Sequence, residues 1–194
     1  FGLVHIGKSI LRKTANIGDI VYVTGNIGDS ALGLQLTTNQ IEMEIPCNSR
    51  AFFVNSYRHP TPRVEIGNSL YKFATSAVDI SDGLVADIRH LAEQSDQKII
   101  IHASRLPLSE AASKLVKLRP ELMNIILEGG DDYELAFTAP PKFHDDIIKL
   151  SINLRTPITA IGNVMARETQ PAGVEVRGDN NQKIKVASGG YRHF

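Results

Sequence analysis

The 194-residue sequence has one cysteine, no net charge and no long apolar run. A single cysteine, Cys47, excludes a disulfide within the chain and fits a reducing compartment, so we expect a cytoplasmic protein. Cys47 has no His or Asp at a nucleophile's spacing, and we predict a small, partly buried apolar residue. Zero formal charge gives no electrostatic basis for a nucleic-acid or membrane partner. No apolar run approaches the ~20 residues that cross a bilayer.

Two common kinds of catalytic site are also missing from the sequence. The six histidines show no His-x-x-x-His spacing, which argues against a zinc site. The sequence also lacks the Gly-x-Ser-x-Gly motif that would indicate a serine hydrolase. An anionic ligand would therefore be held by glycine loops, helix N-termini, a few Arg or Lys side chains, or metal ions.

The order of strand and helix patterns defines the expected fold. Segments rich in β-branched or apolar residues predict five strands and a hairpin: residues 20–24, 76–80, 98–103, 133–138 and 158–164, then 174–176 with 183–186. Apolar residues at helical spacing predict helices between them, including one over 64–74. Because strands and helices are mixed without strict alternation, we predict an α+β fold, an α/β sandwich with a mixed sheet and packed helices.

A strand-turn-helix unit carries the first candidate site. Residues 76–80 form the predicted strand, residues 81–83 are Ser-Asp-Gly, and a helix follows. This arrangement brings Asp79 and Asp82 close together, and two such carboxylates repel each other unless a cation lies between them. Hard oxygen ligands suit Mg²⁺, which in turn holds phosphate oxygens. The spacing alone is equally consistent with Asp82 or Ser81 capping the helix.

A glycine-acid loop precedes the predicted strand at 133–138. Residues 129–135 have the sequence Gly-Gly-Asp-Asp-Tyr-Glu-Leu. Taken by themselves, they are best explained as a helix C-cap and a solvated turn. The other interpretation is a loop that presents Asp131 to a cationic or hydroxylated substrate, with an aromatic ring nearby to contact a cation.

A third loop, Gly-Asn-Ile-Gly-Asp-Ser at 25–30, lies between a predicted strand and a short helix. It lacks the Gly-Lys-Ser/Thr ending of a P-loop and the full dinucleotide-binding pattern. A turn that needs positive φ explains its glycines better, and Asp29 or Ser30 is expected to cap the helix.

Two basic segments could meet phosphates or acids. They are Arg12-Lys13 and the His-Pro-Thr-Pro-Arg sequence at 59–63. Arg is suited to a bidentate grip on either group, although each segment taken alone is better explained by surface salt bridges.

Together, five segments resemble one family, the thiamine-monophosphate kinases. Residues 20–30 resemble the opening of that family's C-terminal domain, and 76–84 resemble its most distinctive motif. Three further segments resemble its Arg-Pro-x-Pro-Arg, Gly-Gly-Glu-Asp-Tyr-Glu-Leu and Gly-Tyr-x-His-Phe motifs: residues 59–63, 129–135 and 190–194. The similarity runs in order from Gly2 to Phe194, and the pairing of the second and fourth motifs is more specific than either alone.

The resemblance implies a reaction and an architecture. The reaction is ATP- and Mg²⁺-dependent phosphorylation of thiamine monophosphate to thiamine diphosphate, with no dedicated nucleophilic side chain. The superfamily, which includes aminoimidazole-ribonucleotide synthetase and selenophosphate synthetase, combines an N-terminal domain that pairs in a homodimer with a C-terminal α/β sandwich. ATP lies in a cleft between the two domains.

The resemblance also assigns individual residues. It implies six contacts: Asp79 and Asp82 with Mg²⁺, Ser81 and Arg12 with ATP, and Asp131 and Tyr191 with the substrate. Asp131 stands where the family usually has the longer Glu, so its contact with the substrate is the assignment that departs from the family pattern.

The resemblance predicts how the chain divides. Residues 1–16 are expected to be the end of an N-terminal ATP-binding and dimerisation domain, and residues 17–194 the C-terminal sandwich. The family's N-terminal acidic motifs have no counterpart in the sequence, so we expect this chain by itself to be catalytically inactive.

Two other functions stay open at this point. One is another ATP-dependent synthetase of the same superfamily, which would act on a ribonucleotide amide or on selenide. The other is a non-catalytic ligand-binding or dimerisation domain.

Overall fold

One seven-stranded sheet organises the chain in a computed structural model that describes residues 3–41 and 44–186. The strands are β1 Ile20–Thr24, β2 Ser76–Asp79, β3 Lys98–His102, β4 Leu135–Ala139, β5 Ile158–Met165, β6 Gly173–Arg177 and β7 Lys183–Ile184. Their spatial order is β2-β4-β1-β5-β3-β6-β7. Only the β3–β6 pair is parallel, so the sheet is mixed as predicted.

Seven α-helices connect and cover the strands in the described part of the chain. They are α1 Asp29–Thr37, α2 Cys47–Arg58, α3 Val64–Leu70, α4 Leu84–Gln94, α5 Glu110–Leu118, α6 Leu122–Glu128 and α7 His144–Asn153. No helix of residues 3–41 and 44–186 is long and apolar enough to cross a membrane.

The sheet has an apolar core on each face. Along β1 the side chains alternate, with Val21 and Val23 in the larger cluster and Tyr22 in the smaller one. The larger cluster includes apolar side chains from α1, α2, α4, α5 and α6, whereas the smaller one includes side chains from α3 and α7. The Tyr22 ring stacks on Phe137 with 5.2 Å between centroids, and its hydroxyl lies 3.0 Å from Nδ1 of His144. The predicted α/β sandwich is therefore confirmed.

Two local sequence predictions, for α3 and for Cys47, are wrong. The helix predicted over 64–74 ends at Leu70, and its remaining residues form a turn. Cys47 was expected to be partly buried but is exposed. It is the first residue of α2, a helix whose one buried residue is Phe53, so its start contributes nothing to the core.

A glycine sets the distance between α1 and α2. A Cβ atom at Gly33 would lie 2.1 Å from the carbonyl oxygen of Phe53 and 2.9 Å from Cβ of Tyr57. Such contacts are far inside van der Waals distance, so the helices pack this closely because residue 33 has no side chain.

We predict that Gly33→Ala destabilises the protein by about 1–3 kcal/mol through overpacking, although alanine is the better helix former. Urea unfolding should show this as a lower midpoint. Gly173→Ala is the matched control, since a Cβ there meets nothing within 4 Å. An unchanged midpoint for Gly33→Ala would show that the two helices can separate freely.

Candidate functional site

Three loops that the sequence singled out meet at one end of the sheet. β4 pairs antiparallel with β2, Asp79 opposite Leu135, and with β1, Val23 opposite Ala136. The C-terminal ends of β1 and β2 therefore lie beside the N-terminal end of β4. This places the 25–28 loop, the 81–83 turn and the 129–134 loop next to one another.

The 81–83 turn is held by a buried carboxylate from the helix that follows it. Oδ2 of Asp87 accepts backbone hydrogen bonds from Ser81 at 2.9 Å, Asp82 at 2.9 Å and Gly83 at 3.2 Å. Burial raises the pKa of Asp87, and these backbone hydrogen bonds act in the opposite direction. The side chains of Ser81 and Asp82 do not cap α4, whose N-cap is Gly83, so the helix-cap interpretation is wrong.

Glycines let the 81–83 turn and the 129–134 loop touch through their backbones. A Cβ at Gly130 would lie 2.0 Å from the carbonyl oxygen of Ser81, and one at Gly83 would lie 2.3 Å from that of Glu128. Gly83 also has φ 133, a conformation that side chains disfavour. The amide of Asp131 donates to the Ser81 carbonyl at 3.0 Å. Both loops therefore form one unit.

The 129–134 loop alternates exposed and buried side chains. Asp131 is half-buried and Tyr133 is 41% exposed, whereas Asp132 and Glu134 are 7% and 4% exposed. The two outward residues have positive φ, 65° for Asp131 and 51° for Tyr133, a strained conformation for a tyrosine. The expectation of a solvated turn is wrong, because two of its three acids are inside the protein.

Asp132 caps a helix from a distance. Its carboxylate accepts backbone hydrogen bonds from Gly28 at 2.7 Å and from Ser30 at 3.2 Å, at the N-terminus of α1. The predicted cap by Asp29 or Ser30 is wrong, since the N-cap residue is Gly28 and no local side chain caps the helix. Gly28 has φ 89, as the turn interpretation of this loop predicted.

Glu134 is the centre of a buried charged network. It accepts a bidentate pair of hydrogen bonds from Arg63, 2.7 Å from Nε and 2.6 Å from Nη2, and one from the Thr24 hydroxyl at 2.6 Å. A Cβ at Gly25 would lie 1.9 Å from Oε1 of Glu134, so the 25–28 loop makes room for this side chain. Arg63 therefore binds an acid, which was one of the two possibilities predicted for the 59–63 segment. The ion pair is largely buried and is not the surface salt bridge that was expected.

Burial changes the proton affinity of two neighbouring acids. It raises the pKa of Asp29 to about 6, which a hydrogen bond from Ser109 opposes and the charge of Glu134 reinforces. It raises the pKa of Asp132 to about 7, which the backbone hydrogen bonds oppose and the charges of Asp29 and Glu134 reinforce. A polar cleft of about 230 Å³ is lined by Asp29, Asp132 and Glu134 together with Arg63, the partner of Glu134.

The residues assigned to metal and nucleotide lie around the 81–83 turn. Nη2 of Arg12 is 3.9 Å from Oδ1 of Asp79, and both side chains are about half exposed, at 47% and 50%. Asp82, Asp87 and His90 each offer a potential ligand atom within 4.8 Å of the other two. The structure thus groups Asp79 with Arg12, and Asp82 with Asp87.

Sequence reasoning missed the buried acids of the site. An acidic residue in the first turn of a helix, such as Asp87, is a recognised signal for contact with free amides. No comparable local signal marks Asp132 and Glu134, because their hydrogen-bond donors lie 71 to 110 residues away in the sequence.

Comparison with known proteins shows which proteins this chain is similar to. A scan against models of protein families finds no match. The chain is 34% identical over all 194 residues to thiamine-monophosphate kinase of Buchnera aphidicola (subsp. Acyrthosiphon pisum), and 36% identical over 164 residues, 84% of its length, to that of Haemophilus influenzae. The chain is a homologue of the thiamine-monophosphate kinases. It covers 58% and 49% of these two relatives, about half the length of the curated relatives it matches.

Solved structures agree with this assignment. Thiamine-monophosphate kinase from Stenotrophomonas maltophilia matches 89% of this chain and 54% of its own, with 35% identity and a TM-score of 0.79. AaThiL complexed with AMPPCP and TMP matches 95% and 54%, with 33% identity and a TM-score of 0.74. Escherichia coli HypE, at 18% identity and a TM-score of 0.69, shares the fold alone. The sandwich is that of the aminoimidazole-ribonucleotide synthetase-like superfamily.

Four of the five thiamine-monophosphate kinase motifs fall within the described residues. The loops at 76–84 and 129–135 are in direct contact, and Arg63 of the third motif is bonded to Glu134 of the fourth. The fifth motif, with Tyr191, lies outside the described residues.

We predict that Arg63→Met destabilises the protein by about 3 kcal/mol, because it leaves Glu134 charged and buried. This is the lower end of the usual range, since the Arg63 side chain keeps 24% exposure. Denaturant unfolding measures the loss, and adding Glu134→Gln should recover part of it.

Arg167→Met serves as the control for this prediction. Arg167 pairs with Asp96 at 2.7 Å, but the two side chains are 40% and 71% exposed, so the loss should stay below about 1 kcal/mol. Equal losses for the two variants would contradict a special role for the buried pair.

We further predict that stability falls as the pH rises from about 4 to about 7. With a folded-state pKa of about 7 for Asp132 against an ordinary value of about 4, the folded protein binds more protons than the unfolded chain in this range. One such group contributes up to about 1.4 kcal/mol per pH unit. Asp132→Asn should flatten the profile measured by urea unfolding, and a variant as steep as wild type would contradict this.

Proposed function

We propose that the complete protein carrying this chain phosphorylates thiamine monophosphate to thiamine diphosphate, using ATP and Mg²⁺. The observation that carries the proposal is the direct contact between the 81–83 turn and the 129–134 loop at one end of the sheet. The pairing of these two motifs is more specific for the family than either motif alone, and the chain is homologous to thiamine-monophosphate kinases throughout. AaThiL, which is 33% identical to this chain, has been solved in complex with AMPPCP and TMP, and this supports the proposal.

The residues of the turn have the chemistry that Mg²⁺ requires. Asp79 and Asp82 offer carboxylate oxygens, and Ser81 offers a hydroxyl, all of them hard donors at least partly accessible to solvent. Asp79 and Asp82 would hold the ion, which when bound neutralises charge on the phosphates. Arg12 is weakly engaged with Asp79, since an exposed ion pair of this length contributes about 0–1 kcal/mol, and it is therefore available to ATP.

The substrate contacts are assigned to Asp131 and Tyr191. Asp131 is half-buried and stands beside Ser81, so the acceptor would lie next to the nucleotide. Alignment of donor and acceptor and neutralisation of charge carry the reaction, with transfer directly between the two phosphates and no phosphoenzyme. A homodimer, a domain boundary near residue 17 and a cytoplasmic location remain predictions.

The alternative of another synthetase has weaker support. The comparison that could support it is the similarity to HypE structures at 15–18% identity, and that similarity shows the fold alone. A non-catalytic domain is not favoured by any feature of the site.

The activity test uses the complete natural protein with ATP, MgCl₂ and thiamine monophosphate. We expect thiamine diphosphate to form, EDTA to stop the reaction, and this chain alone to be inactive. Turnover of a ribonucleotide amide or selenide in place of thiamine monophosphate would overturn the proposal.

Asp82→Asn in the complete protein should lower turnover at least about 100-fold, since a bound ion contributes several kcal/mol of charge stabilisation. Circular dichroism should show an intact fold. The control is Asp145→Asn, an exposed aspartate in the first turn of α7, which packs on the other face of the sheet. Wild-type turnover in Asp82→Asn would remove the metal role.

A further inference from the structure

Three consecutive backbone amides of the 81–83 turn converge on one oxygen atom. Oδ2 of Asp87 lies 2.9 Å from the nitrogens of Ser81 and Asp82 and 3.2 Å from that of Gly83. Asp87 is 3% exposed, and the backbone amide of Asp87 in turn donates to the Gly83 carbonyl at 2.9 Å. The turn and the first turn of α4 are therefore locked to each other from both sides.

This arrangement decides which groups of the turn can reach a ligand. Successive amides ahead of a helix are an anion-binding arrangement when nothing fills it. Here the protein's own carboxylate fills it, so those three donors are already used. What the turn offers to a ligand is its side chains, the Ser81 hydroxyl and the Asp82 carboxylate.

The negative charge of Asp87 also favours the binding of a cation at the turn. A carboxylate oxygen of Asp82 lies within 4.8 Å of one from Asp87. Two carboxylates this close repel each other, and a cation beside them relieves that repulsion. Asp87 therefore makes the turn more favourable for a cation and less favourable for a phosphate group.

We propose that Asp87 is a positioning residue, which fixes the backbone of residues 81–83 so that Asp82 and Ser81 are held ready for a Mg²⁺-bound nucleotide. The inference rests on the proposed function, because it concerns the same turn. Because Asp87 is 3% exposed and its Oδ2 already accepts three hydrogen bonds, we expect it to contact neither the substrate nor the nucleotide. It acts through hydrogen bonds to main-chain amides, which depend on its charge and on its place in α4.

The variant that tests this is Asp87→Asn in the complete protein. Asparagine keeps the shape, but it replaces charge-assisted hydrogen bonds with weaker neutral ones. We expect kcat/KM for thiamine monophosphate to fall about 10- to 100-fold, the usual effect of losing a group that orients a metal ligand. The MgCl₂ concentration for half-maximal rate should rise by a similar factor, whereas a purely structural residue would leave it unchanged.

A second measurement does not depend on activity. Amide hydrogen exchange of residues 81–83 should become at least about tenfold faster in Asp87→Asn, while core amides such as that of Ile101 in β3 keep their wild-type protection. Adding MgCl₂ with AMPPCP should slow exchange in the turn in wild type, and less so in the variant.

Asp19→Asn is the matched control. Asp19 is also 3% exposed and also accepts a backbone hydrogen bond, from Asn16 at 2.9 Å, along with one from the Thr75 hydroxyl at 2.6 Å. Thr75 precedes β2, so Asp19 lies near the N-terminal end of β2, whereas Asp79 is at its C-terminal end. Its variant should lose stability but keep the wild-type MgCl₂ dependence and the wild-type exchange at 81–83.

The outcomes separate the two proposals. If wild-type protein does not phosphorylate thiamine monophosphate, the proposed function fails, and the exchange data still test the positioning of the turn. If wild type is active but Asp87→Asn matches Asp19→Asn in MgCl₂ dependence and exchange, the role of Asp87 is overturned.

Discussion

The site depends on two buried carboxylates that need hydrogen-bond donors. Asp132 and Glu134 belong to one short loop, and leaving either charge unpaired in the interior would cost several kcal/mol. Asp132 finds its donors at the start of α1, and Glu134 finds them in Arg63 and Thr24. These bonds tie the loop before β4 to the end of β1, and direct backbone bonds tie it to the end of β2.

This arrangement divides the acidic residues by task. Three acids that hold the loops in place are nearly inaccessible to solvent, and donors of the protein occupy them: Asp87, Asp132 and Glu134. The acids that remain partly accessible are Asp79, Asp82 and Asp131. A residue that must bind a ligand needs oxygen atoms that no protein donor has taken, so the exposure of these acids agrees with the roles proposed for them.

How far the sequence could predict this follows from the distance between partners. Strand and helix patterns act locally, so β1, β2 and the mixed sheet were predictable, as was the positive φ of Gly28. The partners of Asp132 lie 102 and 104 residues away, and Arg63 is 71 residues from Glu134. No local pattern distinguishes those acids from the solvated acids of an ordinary turn. Asp87 was within reach, because its partners are four to six residues away.

The same bonds bear on how a phosphate could be held. The sequence associated two basic segments with phosphate. In one of them, Arg63 makes a bidentate hydrogen-bonded pair with Glu134, which leaves few of its N–H groups for a ligand. Arg12 and Lys13 remain, and Arg12 lies beside the partly accessible Asp79. Bringing two phosphate groups together in such surroundings requires further positive charge. A chain with no net charge and with the partly buried Arg63 already paired therefore fits the proposed reaction, in which the cation is a metal ion.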